Sequence, residues 1–153
     1  MDDFERLLAS HPDKWLDALP NYQKNRLKAQ LAAGQSPEDV ANAWLTANIE
    51  NTFPFGAQRS NDIFFKNILI EIEKFLCGSK EYDSDRQALK KNGNITYTYS
   101  VGFISASIAP SLGTSAAFIA PVIALPLISI GKVTLNAWCK LRLEIKDEED
   151  NKS

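Results

Sequence analysis

Histidine is almost absent from this chain: His11 stands alone among 153 residues. A single imidazole excludes Ser-His-Asp and Cys-His catalysis and multi-histidine metal sites together, because each needs the ring in a fixed role. His11 itself, beside Pro12, reads as a solvated residue near a helix start. Cysteine is scarce too. Cys77 and Cys139 are too few for a disulfide framework. Each ends an apolar run, "KFLC" and "NAWC", as a small buried hydrophobe does. Reduced thiols in a cytosolic protein are the expectation, and the spacing does not say whether the two meet.

Excess positive charge is missing as well. Seventeen Lys and Arg against nineteen Asp and Glu leave a formal charge of −2. The basic residues are scattered, so no nucleic-acid partner is expected. The start, "MDDFERLLAS", lacks the basic-then-apolar pattern of a secretory signal. "NIT" at Asn94 matches a glycosylation acceptor, which without export is a chance match. "GKVT" at Gly131 lacks the earlier glycine of a phosphate-binding loop, and Val133 stands where Ser or Thr is needed. "KEYDSDR" lacks the glycine and final glutamate of a calcium loop. Glu71 and Glu73 flank an apolar helix face and read as solvated. Neither metal, cofactor nor enzymatic activity is expected.

What is present is helix punctuation. "DDFERLLAS" sets Phe4, Leu7 and Leu8 on one stripe. Ser10 is placed to cap a second helix with Pro12 in its first turn and Trp15, Leu16 and Leu19 inward. Asn21 caps "NYQKNRLKAQLAAG", which stops at Gly34. Ser36 caps a helix with Val40, Trp44 and Leu45 inward. "FPFGAQRS" reads as a loop. The clearest amphipathic helix follows, with Phe65, Ile68, Leu69, Ile72, Phe75 and Leu76 at helical spacing and Gly78 as its stop. Ser84 and Gln87 form a capping box for a short helix closing at Gly93. The tail "KDEEDNKS" reads as frayed. Trp15, Trp44 and Trp138 read as core or interfacial anchors.

A different kind of absence then begins: residues 92–131 carry no charge at all. An apolar stretch of that length is a candidate membrane span. One span covers Ser111–Gly131, and a poorer one runs from about Thr96 to Leu112. "PSLGTS" between them suits a tight turn. Small residues recur every four positions, as Ser105, Ala109, Gly113 and Ala117 and as Ala116, Ala120 and Ala124. Such rows let helices approach closely in lipid. Lys91 and Lys132 flank the segment, which by the positive-inside rule keeps both ends cytoplasmic. Tyr97, Tyr99 and Trp138 bracket it as an aromatic belt would.

The expectation is thus an all-α chain: a polar-surfaced helical domain over 1–93, an apolar helical hairpin over 94–143 and an acidic tail over 144–153. Its partner is a lipid bilayer or another protein, with homo-oligomerisation open. The location is an inner membrane, and a small effector of bacterial defence or competition fits the outline. The alternative is a soluble, cytoplasmic all-α subunit that buries the same helices as its core or against a partner. A third arrangement joins the two, with the hairpin wrapped in water and released into lipid. The membrane reading supposes that the uncharged third has too little cover from its own neighbours.

Overall fold

Helix stops and starts recur so densely along the chain that its elements are short. The computed structural model describes residues 3–49, 57–91 and 95–152, and every element among them is helical. In order they are α1 (Asp3–Ser10), a 3₁₀ segment (Pro12–Ala18), α2 (Asn21–Ala32), α3 (Pro37–Ile49) and α4 (Ala57–Cys77). A 3₁₀ turn (Lys80–Tyr82), α5 (Asp83–Lys91), α6 (Tyr97–Leu112), α7 (Ala116–Val133) and α8 (Leu135–Lys152) complete it. The all-α class is shown.

Several local expectations hold for the physical reasons given. Ser36 Oγ accepts the Asp39 backbone N–H at 3.1 Å, so it caps α3. Gly78 ends α4 and Gly113 ends α6, both with positive φ, which glycine adopts without a steric cost. Two further caps were not among the expectations: Thr96 and Ser115 cap α6 and α7, accepting the Tyr99 N–H at 3.0 Å and the Phe118 N–H at 3.2 Å. The apolar stripe of α4 faces inward as spaced, with Phe65, Ile68, Ile72 and Phe75 buried.

Others need correction. Ser10 closes α1 by donating its hydroxyl to the Arg6 carbonyl, so it caps nothing. The segment after it is 3₁₀ rather than α, which turns Trp15, Leu16 and Leu19 inward together. Pro20 stands at the cap of α2, and Asn21 is its first helical residue. Ser84 lies inside α5; the capping serine is Ser79, which accepts the Glu81 N–H at 3.4 Å ahead of the 3₁₀ turn. Helix α4 begins at Ala57, inside the stretch read as a loop; residues 53–56 of that loop, Gly93 and Asn94 lie outside the described residues. The tail expected to fray continues α8 as far as Lys152, so the boundary expected at residue 143 falls within one helix.

Residues of the N-terminal helices and of the hairpin belong to a single core. Helix α7 runs through its middle, packed against α1, the 3₁₀ segment, α3 and α6. Residues 121–128 of α7 are all buried, and so is Ile130. Pro121 and Pro126 are among them, each lacking the N–H that a helix interior would use. One close approach needs a glycine. A Cβ at Gly131 would run into the Leu8 carbonyl oxygen and crowd Pro12, so α1 meets α7 there only because that residue has no side chain.

Candidate functional site

Helices α6 and α7 form the expected pair, joined through Gly113 in a left-handed turn. Helix α7 is 18 residues long and apolar enough to cross a membrane. At 1.5 Å per residue that is about 27 Å, close to the roughly 30 Å of hydrocarbon in a bilayer. Helix α6 has 16 residues, so it is shorter.

The supposition of too little cover is corrected for α7, whose residues 121–128 are all buried, as is Ile130. On α6 too the large apolar side chains are covered in whole or in part, and what stays exposed is small or polar. Val101, Ile104, Ser105, Ile108 and Ala109 of α6 are buried, while Thr98, Gly102, Ala106 and Pro110 are exposed along the opposite side. The exposed strip continues around the turn through Ser111, Gly113, Ser115 and Ala117. None of these exposed positions is charged.

The small-residue rows divide accordingly. Ser105, Ala109 and Ala124 are buried, Ala116 and Ala120 are half-buried, and Gly113 and Ala117 face solvent. Among the flanking residues, Lys91 and Lys132 are exposed. Tyr97 packs edge-on against Trp15 with ring centroids 5.0 Å apart, and Tyr99 lies against Phe103 at 5.8 Å. Trp138 is 8% exposed, under the Arg142 guanidinium at 5.9 Å, so it is a packed residue in this state. Near the turn, Phe118 contacts both Trp44 and Phe64, tying the start of α7 to α3 and α4.

A polar cluster joins the cover to the far end of α6. Glu71 on α4 is 8% exposed and accepts the Tyr82 hydroxyl at 2.6 Å. That hydroxyl also lies 3.2 Å from Ser111 Oγ. Lys74 Nζ sits 3.2 Å from Glu71 and 3.5 Å from Glu81. Burial, reinforced by the Glu71 carboxylate, pushes the Tyr82 phenol up to about 12. The hydrogen bond to Glu71 likewise raises the Lys74 ammonium. Glu73 is 3.0 Å from Arg142 of α8. Both carboxylates read as solvated are therefore partnered, and the cause is tertiary: the Tyr82 turn and α8 fold back onto the edges of α4. Arg86 braces the same end, donating to the Lys74, Phe75 and Ser79 carbonyls and pairing with Asp83.

The largest covalent surprise is a disulfide. Cys77 at the end of α4 is bonded to Cys139 in α8, with Cα atoms 5.7 Å apart, which corrects the expectation of two buried thiols. Cys77 is exposed and Cys139 half-buried. Neighbouring helix ends fell at one place, a fact of packing invisible in their separation of 62 residues.

At the base of the hairpin, a cleft of about 240 Å³ opens between α1 and the junction of α7 with α8. Leu8, Ala9, Ile130 and Gly131 line it, with Glu5 and Asn136 at its polar side. Among the described residues no group of three or more His, Cys, Asp or Glu is placed to hold a metal. No family model, curated protein or solved structure matches this chain.

Proposed function

We propose that this protein is a non-enzymatic, membrane-associated helical bundle whose α6–α7 hairpin anchors in, or perturbs, a lipid bilayer. The observation that carries this reading is the chemistry of the exposed side. A water-soluble core explains why Ile104, Ile108 and Ile123 are uncharged, because they are buried. It does not explain Thr98, Gly102, Ala106, Pro110, Gly113 and Ala117, which face outward and are equally free of charge. A hairpin that enters hydrocarbon needs uncharged residues on every side, since a charge at mid-span costs about 2.5–3.5 kcal/mol.

The bundle would then be the form kept in water, with α1, the 3₁₀ segment, α3 and α4 as its cover. Lys91 and Lys132, exposed at the two ends of the uncharged segment, suit an anionic lipid surface. An inner-membrane position with both ends on one side belongs to this reading. The disulfide weighs against that side being the cytoplasm, because such bonds persist where the surroundings are oxidising. A small effector of bacterial defence or competition remains the outline that fits, and self-association through the exposed small-residue strip is part of it.

The second reading is a soluble all-α interaction subunit, and the burial of α7 favours it. The two part in one experiment. Oxidised and reduced protein is floated with phosphatidylcholine–phosphatidylglycerol vesicles beside the Ala106→Arg variant. The membrane reading expects the natural chain to float, oxidised or after reduction, and the variant to stay behind in both states while melting normally. Absence of flotation under every condition, with a single folded species in plain buffer, would leave the soluble subunit.

A further inference from the structure

The disulfide sits where the hairpin would have to part from its cover. Its two sulfurs bracket the chain from the end of α4 to the second turn of α8, so α5, α6 and α7 all lie inside the loop it closes. Helix α8 follows α7 after a single residue, Thr134, which caps α8 by accepting the Ala137 N–H at 3.1 Å. The buried residues of α7, 121–128 and 130, can leave α1 and the 3₁₀ segment freely only if the first turns of α8 move with them.

What else keeps α8 against α4 is reversible. Trp138 is packed and Arg142 pairs with Glu73. Farther on, Leu141 and Leu143 are 52% and 59% exposed and add little apolar hold. The covalent link is the one attachment here that thermal motion does not open.

Resting on the membrane reading above, we infer that the Cys77–Cys139 bridge is a reducible lock that retains the hairpin in the bundle until a dithiol opens it. Cys77 is the more exposed residue of the pair, which makes its sulfur the point of attack. A thiolate of the dithiol bonds to Cys77 Sγ as the Cys77–Cys139 bond breaks, and Cys139 leaves as a thiolate that takes up a proton. The second thiol of the reagent, as its thiolate, then displaces Cys77, which is protonated in turn. The protein gains two electrons and two protons, and the dithiol becomes its own cyclic disulfide.

The test measures flotation with phosphatidylcholine–phosphatidylglycerol vesicles for the full chain, oxidised and after dithiothreitol. The Cys77→Ser/Cys139→Ser chain and a reduced Ala106→Arg chain run beside it, with helicity recorded for each. Opening the lock should raise the vesicle-bound fraction roughly tenfold or more. The double-serine chain should match the reduced form without reagent, and Ala106→Arg should cancel the gain. Equal flotation before and after reduction, or better flotation when oxidised, overturns the lock and leaves the membrane reading standing. A gain that Ala106→Arg does not cancel means an unfolded chain rather than the hairpin is binding, which also overturns it. No flotation in any state overturns the membrane reading itself.

Discussion

Helices α4 and α6 pack against each other, and their inner faces are built alike. Phe65, Ile68, Ile72 and Phe75 of α4 meet a core to which α6 contributes Val101, Ile104 and Ile108. Their outer faces are not alike. Helix α4 shows solvent Lys66 and Asn67 between Ile63 and Ile70, with Glu73 and Lys74 engaged at its edges. Helix α6 shows Thr98, Gly102, Ala106 and Pro110. Burial accounts for the inner faces of both helices. The difference outside is what the proposed membrane reading draws on: of these two helices, α6 has the uncharged outer face.

Breaking the inner side should give the largest effect. Ile123 of α7 is fully buried, and truncating it removes apolar contacts and leaves a cavity. Ile123→Ala is expected to cost roughly 2–5 kcal/mol in urea unfolding. Vesicle binding should move the opposite way and rise, because the bundle that competes with insertion is weakened while the hairpin stays uncharged. Parallel loss of both would show that the folded bundle, rather than the released hairpin, is the binding form.

The outer side is tested by charge. Ala106→Arg adds an exposed arginine and should leave stability within about 0.5 kcal/mol, as surface substitutions do. In lipid the same change should cost about 2.5–3.5 kcal/mol, a loss of some hundredfold in vesicle affinity. Asn67→Arg on the outer face of α4 is the matched control and should alter neither quantity. If both arginines were tolerated equally, the contrast between the helices would carry no function.

How much of this contrast was readable in advance depends on what decides each feature. The stripe of α4, the cap at Ser36 and the stop at Gly113 depend on residues a few positions apart, so the sequence pattern contains them. The limits of α6 were legible in the same way, whereas the second span, read as Ser111–Gly131, starts inside α6, and the hairpin limit at residue 143 falls inside α8. The 3₁₀ form of Pro12–Ala18 was not, because Trp15 is turned inward by Phe4 and Tyr97, at 6.2 and 5.0 Å between centroids, the latter far along the chain. Nor was the burial of Glu71, which depends on Tyr82 folding back over a turn. The cover over α7 was the costliest omission. The burial of its residues 121–128 draws on four separate elements, none of which names its neighbour in its own spacing.

The Tyr82 cluster joins α4 to the turn end of α6, and its loss should be smaller than that of a core isoleucine. Tyr82→Phe removes the hydroxyl that Glu71 and Ser111 share, leaving a buried carboxylate with one donor fewer. The expected cost is about 1–3 kcal/mol. The same hydroxyl gives an alkaline signature. Its folded value is raised to about 12 from an ordinary 10, so the folded state holds the proton more tightly. Its contribution is whole below about pH 10, where both states are protonated, and is lost as pH rises from there through about 12. Wild-type stability should fall across that window, and Tyr82→Phe should remove this part of the decline. Equal slopes for the two proteins would place the alkaline loss on the other raised groups, Lys74 and Tyr97, instead.

The smallest expected effect lies at the edge where α4 meets α8. Glu73 and Arg142 are each about one-fifth exposed, so water screens their attraction only in part. Partly shielded pairs of this kind are worth about 1 kcal/mol or less. A double-mutant cycle with Glu73→Gln and Arg142→Gln isolates that coupling. It should be measured with the disulfide intact and again after reduction. In the oxidised chain the covalent link already holds the two helices together, so breaking the ion pair frees little. In the reduced chain the ion pair takes a larger share of that attachment, and the same substitutions should raise vesicle binding as well as lower stability. A coupling that alters stability but leaves binding unchanged in the reduced chain would mean that α8 does not move when the hairpin does.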